Sequence, residues 1–274
     1  AMSEQMVVAR AEGPYIYDKQ GKRYLEGMAG LWCTALGYGN EEIIEAAERQ
    51  MRELSFSHMF GGKTHSSAIE LADKLAAMVP MQDGRVFLGN SGSDANDTLL
   101  KLIRYHAEAS GQPNRIKVIA REQGYHGVTL ASAALTAIPT NHAHFQLPFE
   151  ALGVLRTGSA NYYRGANDGE SEAEFVARRA QELEALILAE GPETIAAMIA
   201  EPVSGAGGVI VPPEGYFEAI QAVLDRYGIW LWDDEVICGF GRLGTDFGAN
   251  KMSMRPQMMT LAKALSSAYV PVSA

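Results

Sequence analysis

Residues 231–263 read LWDDEVICGFGRLGTDFGANKMSMRPQMMTLAK, and this stretch decides the fold. The apolar run Tyr227-Gly-Ile-Trp-Leu-Trp232 that leads into it ends abruptly in Asp233, Asp234 and Glu235. A parallel strand covered on both faces is apolar along its length, and open α/β sheets bind ligands beyond the carboxyl ends of their strands. The run therefore predicts a buried parallel strand that delivers carboxylates to a crevice. Side chains alternate along a strand, so only one of Asp233 and Asp234 can face that crevice. A glycine-rich loop, Pro256, a second short apolar run over 258–262 and then Lys263 follow.

Outward from this stretch, strands and helices alternate. Toward the N-terminus the patterning predicts a strand over 195–200, then Glu201-Pro202, a glycine-rich loop and a helix over 215–227. A helix over 172–189 precedes them. Further back, a strand over 116–120 runs into the loop Gln123-Gly-Tyr-His-Gly127. A strand over 85–88 leads through Gly89-Asn-Ser-Gly92 to a helix opened by Ser93 and reaching Ala109, with Ala95, Leu99, Leu102 and Ile103 inward. Asn40 is the natural cap of a helix over 41–54 that carries Ile43, Ile44, Ala47 and Met51 on one face, and another helix spans 66–79. Residues 12–30 read as a hairpin turning at Asp18-Lys-Gln-Gly21. From Pro139 to Gly169 the periodicity dissolves, which predicts a long functional loop. The alternation implies an α/β fold around a mostly parallel central sheet flanked by helices. Residues 1–54 are read as an N-terminal segment and 55–274 as one large domain.

At 274 residues and 47% hydrophobic, the chain can bury a full core. Its 33 acids against 23 bases give a net charge of −10 with no basic run, which argues against nucleic acid and anionic membranes as partners. Cys33 and Cys238 are not in a CxxC and form no disulfide framework. No stretch has the apolar length of a membrane span, and the N-terminus lacks a signal-peptide pattern, so the expected location is cytoplasmic. No metal is expected.

Three features carry chemistry. Gly89-Asn-Ser-Gly-Ser-Asp-Ala-Asn96 joins a strand to a helix N-terminus, where free N–H groups and the hydroxyls of Ser91 and Ser93 suit a dianionic phosphate. The plainer reading makes Ser93 only a helix cap. Gly239-Phe-Gly241-Arg-Leu-Gly244 matches the dinucleotide pattern GxGxxG, but no amphipathic helix follows and no acid occurs from Phe247 to Ala274, so these glycines are loop formers. Finally, a carboxylate at a strand end and Lys263 beyond it are the pair that pyridoxal phosphate chemistry requires. The lysine carries the cofactor as a Schiff base and the acid keeps the pyridine nitrogen protonated.

These features occur together in one order. The segments Asn90-Ser-Gly-Ser-Asp-Ala-Asn96, Gly124-Tyr-His-Gly127, Ala200-Glu-Pro-Val203, Asp234-Glu-Val236, Gly239-Phe-Gly-Arg242 and Leu261-Ala-Lys263 make the chain resemble a class III pyridoxal-phosphate aminotransferase of fold type I, over nearly its whole length. Gly30-Leu-Trp-Cys33 and Ser267-Ala-Tyr-Val-Pro-Val272 are similar to the ω-amino acid and amine:pyruvate branch. The resemblance implies that Lys263 bears the cofactor and that Asp234 pairs with the ring nitrogen. It further implies that Ser91, Gly92 and Ser93 bind phosphate, Tyr125 stacks on the ring, Val236 packs behind it, His126 supports Asp234 and Glu201 lies beside the phenolic oxygen. Trp32 and Phe60 would line the substrate pocket. Leu243 and Gln257 depart from the family's usual Thr and Asp.

The implied activity is transfer of an amino group from a primary amine or ω-amino acid to a keto acid such as pyruvate, by a ping-pong course, in a homodimer. Decarboxylation-coupled transamination and an aminomutase are the alternatives on the same scaffold. A non-catalytic scaffold is the alternative from another class, and it has no need of Lys263, Asp234 and the phosphate cup. Family members continue beyond Lys263 into the rest of the large domain and a C-terminal small domain. With them come a threonine for the partner's phosphate site and an arginine for the substrate carboxylate. These 274 residues alone are therefore expected to aggregate and to lack turnover.

Overall fold

The structure, a computed structural model, describes residues 5–274. Its strands are β1 (Val8–Glu12), β2 (Tyr15–Asp18), β3 (Arg23–Leu25), β4 (Lys117–Arg121), β5 (Val154–Thr157), β6 (Ile195–Ala200), β7 (Trp230–Asp234) and β8 (Met258–Thr260). The last five form one parallel sheet in the order β5-β4-β6-β7-β8. β6 reads Ile-Ala-Ala-Met-Ile-Ala, and every residue is buried, as a central strand covered on both faces must be.

The two faces have different covers. Ile119, Met198, Ala200 and Leu231 pack in one core with Leu183 and Ile187 of the helix Glu172–Glu190 and Ile220 and Leu224 of Tyr216–Arg226. Val118, Ala120, Ala197, Ile199 and Trp232 pack in a second core with Leu100 and Ile103 of the helix Gly92–Ala109. Alternation along β7 thus sends Leu231 and Asp233 to the first face and Trp232 and Asp234 to the second. Each fully buried aliphatic side chain contributes about 1.5–3 kcal/mol.

The helix Glu172–Glu190 starts where the sequence sets it, in a capping box between Ser171 and Glu174. β1, β2 and β3 make a separate antiparallel sheet, with β1 a strand that the hairpin reading did not include. Tyr269 ties this end of the chain to the larger sheet: its hydroxyl accepts from Asn40 N at 2.6 Å and donates to Gly37 O at 3.1 Å.

Several expectations need correction. Residues 85–88 form no strand. One bridge, Gly89 to Ser273, is all that pairs there, and a ladder needs successive pairs. The irregular stretch 139–169 contains β5, which sequence patterning hides because it is four residues long, lies at the sheet edge and carries Arg156. That guanidinium donates to Leu135 O at 2.8 Å and Thr136 O at 2.7 Å. Ser91, not Ser93, caps the helix Gly92–Ala109, accepting from Asp94 N at 3.1 Å. Leu102 is exposed rather than inward. The helix Glu41–Glu53 has its Asn40 cap but buries no residue, so its apolar face lies open.

Candidate active site

β7 ends in Asp234 and β8 ends just before Lys263, and parallel pairing of Asp234 with Thr260 brings both ends to one side of the sheet. The helix N-terminus at Gly92 and the loop after β4 reach the same place. Between them lies a cavity of about 390 Å³ lined by Ser91, Gly92, Ser93, Tyr125, His126, Glu201, Asp234, Val236 and Lys263.

Asp234 is 3% exposed and accepts three hydrogen bonds. His126 Nδ1 lies 2.8 Å from its Oδ2, Asn96 Nδ2 donates to the same oxygen at 3.1 Å, and Val236 N donates to Oδ1 at 3.2 Å. The neighbouring Asp233 is on the far side of the sheet and outside the cavity lining.

Glu201 follows β6 and is buried beside Tyr125. Its Oε1 accepts from Tyr125 N at 3.0 Å and its Oε2 from Gly205 N at 2.9 Å. Burial raises its pKa, against the opposing pull of His126 and the two N–H groups. Burial, with Asp234's charge behind it, also raises that of the Tyr125 hydroxyl.

The helix start has the makings of an anion site. The amides of Gly92 and Ser93 belong to the first turn, which has no intrahelical acceptors. Ser93 Oγ accepts from Val128 N at 3.0 Å, which ties the loop after Tyr125-His126 to the helix start. A Cβ on Gly92 would meet Val236 Cγ2 at 2.8 Å, so the absence of a side chain lets Val236 seat against the helix start.

Lys263 has φ +47°, so the chain bends sharply as it leaves β8. Its Nζ has neither a hydrogen bond nor an ion pair among the described residues. An unpaired amine, a hydrogen-bonded carboxyl and a helix start with free first-turn amides thus share one cavity. That donor set fits pyridoxal phosphate: an electrophilic carbonyl for the amine, a ring nitrogen for the acid and a phosphate for the helix.

Comparison with known proteins agrees. The family model for class III aminotransferases matches residues 1–274. This chain belongs to the class III aminotransferases. Members of that family use pyridoxal phosphate. A probable γ-aminobutyrate transaminase 2, mitochondrial, of Oryza sativa subsp. indica is 51% identical over 272 residues, covering 99% of this chain and 54% of that protein. A γ-aminobutyrate transaminase 1, mitochondrial, of Solanum lycopersicum is 50% identical, covering 99% and 52%. The crystal structure of an ω-transaminase from Pseudomonas jessenii in complex with PMP superposes with a TM-score of 0.96 at 51% identity, covering 98% of this chain and 59% of that one. The chain spans about half the length of the curated relatives it matches.

In this class III aminotransferase chain, the two residues expected at the substrate pocket are not among those lining the cavity described above. Phe60 is 81% exposed and Trp32 is half-buried, and neither lines the cavity. Cys33 lines it instead, after a turn in which Ala29, Gly30, Leu31 and Trp32 all have positive φ. Residues 55–64, Phe60 among them, are exposed apart from half-buried Ser57. Asn96 and Thr260 were passed over by the sequence reading. Asn96 stands in the quoted motif, but nothing local shows that it bonds to Asp234.

Proposed function

We propose that the protein is a pyridoxal-phosphate-dependent transaminase, moving an amino group from a primary amine or ω-amino acid to a keto acid, pyruvate foremost, by a ping-pong course. The observation that carries this reading is that Lys263, without a partner, and Asp234, with three donors on its carboxylate, line one cavity. When bound, pyridoxal phosphate supplies an electron-accepting ring that lets an amino-bearing carbon give up a proton.

The chain's own residues do the rest. Asp234 keeps a proton on the ring nitrogen, because a fixed negative charge favours the protonated form. Lys263 holds the cofactor before the amine arrives and afterwards moves the proton at the substrate carbon as a general base and acid. Gly92 and Ser93 hold the phosphate through first-turn amides, with Ser91 and Ser93 contributing hydroxyls. Tyr125 and Val236, which line the cavity, would flank the ring and exclude water, Glu201 would stand near its phenolic oxygen, and His126 backs Asp234.

The printed names of the plant relatives support an ω-amino acid donor, and that of the Pseudomonas jessenii structure supports the wider ω-transaminase class. A homodimer is favoured by exposed Met51, Leu54, Phe56, Met59 and Phe60, a run of apolar surface that a second subunit would cover. Residues 1–54 are read as a segment apart from the large domain, since the β1-β2-β3 sheet pairs with no strand of the larger one. Among the described residues no helix is long and apolar enough to cross a membrane. The acidic composition supports a cytoplasmic location, whereas the relatives' names point to mitochondria and chloroplasts, and cell fractionation decides between them.

Spectral titration of the full-length protein tests the reading. Its cofactor absorbance should shift with γ-aminobutyrate, L-alanine or an apolar primary amine and return with pyruvate. A protein that binds no pyridoxal phosphate ends the proposal, and recovery with 2-oxoglutarate alone replaces the acceptor.

A further inference from the structure

Behind the Asn96 bond to Asp234 runs a longer line of hydrogen bonds that reaches Thr260 and Trp232. Trp232, Thr260 and Asn96 are each 0% exposed. Trp232 Nε1 donates to Thr260 Oγ1 at 2.9 Å, Thr260 Oγ1 donates to Asn96 Oδ1 at 2.8 Å, and Asn96 Nδ2 donates to His126 O at 2.6 Å and Asp234 Oδ2 at 3.1 Å.

Chemistry fixes the direction of every bond in this line. An indole N–H only donates, so the Thr260 hydroxyl accepts from Trp232 and has its one hydrogen for Asn96. The Asn96 atom facing Thr260 is therefore the amide oxygen. Its two N–H bonds then meet a carbonyl and a carboxylate, both acceptors. The flipped amide would set its oxygen against those same acceptors and leave the Thr260 hydrogen unused, so it is excluded. Asp234 Oδ2 thus always receives a hydrogen from Asn96. The carboxylate also accepts from His126, which puts that ring's hydrogen on Nδ1.

We propose that Trp232, Thr260 and Asn96 form a one-way relay that fixes Asp234 Oδ2 as a hydrogen-bond acceptor and aims the carboxyl at the cofactor ring nitrogen, making Asn96 and Thr260 positioning residues of the reaction. This rests on the reading of Asp234 as the ring partner. The titratable groups around Asp234 among the described residues include His126, Glu201 and Tyr125, its chain neighbours Asp233 and Glu235, and Lys263 across the cavity, and none of them belongs to the line or sets its polarity.

Pyridoxal phosphate affinity of the full-length apoenzyme, measured against pH, tests the relay. Thr260→Val keeps the volume but removes the hydroxyl, which frees the amide to turn, and should weaken binding about tenfold, while Thr260→Ser restores it to within about threefold. Asn96→Asp sets a second carboxyl against Asp234. At low pH the shared proton lets the new group still donate, and at high pH two charges repel, so affinity should fall as pH rises, a limb the wild type lacks.

Wild-type affinity and pH dependence in Thr260→Val and Asn96→Asp, even with lowered melting temperatures, would make the line merely structural and overturn the proposal. If Asn96→Asp does not fold, the Thr260→Val and Thr260→Ser pair decides alone. A wild-type protein that binds no pyridoxal phosphate overturns the functional reading and this inference with it. A wild type that binds while Thr260→Val matches it overturns only the relay.

Discussion

Asp233 and Glu235 lie two residues apart on the face of the sheet opposite Asp234, and neither is exposed to water at all. Both oxygens of Asp233 and Oε2 of Glu235 lack any N–H or hydroxyl partner. Glu235 Oε1 accepts from Ala249 N at 2.6 Å, which fixes the turn after the glycine-rich loop. Two adjoining carboxyls in a dry site are stable only with a proton between them. Burial, and then the charge of Glu235, raises the pKa of Asp233 well above the carboxylate range, and burial raises that of Glu235, which predicts one proton shared between the two.

This pair makes stability depend on pH. Both folded-state pKa values are raised, whereas the unfolded chain titrates near the ordinary values of about 4. The folded form therefore holds an extra proton above that pH, and the stability from it is lost as pH rises toward the folded-state value. Asp233→Asn replaces the shared proton with an amide N–H, and its melting temperature should fall less between about pH 5 and 9 than that of the wild type. Asp233→Leu leaves Glu235 Oε2 without a donor and should cost about 1–3 kcal/mol. Thermal unfolding of the three proteins across that range checks both, and parallel curves for wild type and Asp233→Asn would refute the shared proton.

Asp234→Asn keeps the shape but removes the charge opposite the ring nitrogen. An ion pair of this kind shifts protonation by about one to three pKa units, so kcat should fall about 10- to 1000-fold. Asp233→Asn, on the other face, should stay within a few-fold of wild type. Steady-state kinetics at matched cofactor content compares them, and the reverse order would exchange their roles.

Lys263 should be the residue that holds the cofactor. Borohydride reduction of the full-length holoenzyme followed by peptide mapping is expected to leave the adduct on Lys263 and none on exposed Lys251. An adduct on Lys251 would remove Lys263 from the mechanism.

Gly92→Ala brings a methyl group to within 2.8 Å of Val236 Cγ2. Overpacking of this sort costs about 1–3 kcal/mol, here by pushing Val236 toward the ring site. Cofactor affinity should drop about tenfold, and the double variant Gly92→Ala with Val236→Ala should recover most of it. Titration of the apoproteins measures this, and unchanged affinity in Gly92→Ala would show that the glycine serves no such packing.

The sequence by itself determined the parts that depend on near neighbours. The six apolar residues of β6, the run into β7 that stops at acids and the Asn40 cap are all properties of adjacent side chains, and each formed where the pattern put it. Alternation also separated Asp233 from Asp234 without any structure. The family resemblance picked Asp234 from the two, and the reason its side faces the cavity, the packing of the helix Gly92–Ala109 against that face, is visible only in the tertiary structure. It alone revealed β5, too short to carry a period, and the lack of a ladder at 85–88, where only one bridge forms. The bonds that aim Asp234 were likewise invisible: Asn96 is 138 residues from it and 164 from Thr260. Periodicity and capping act within a few residues, whereas a hydrogen bond between distant buried side chains exists only once packing has brought them together and excluded the water that would otherwise take its place.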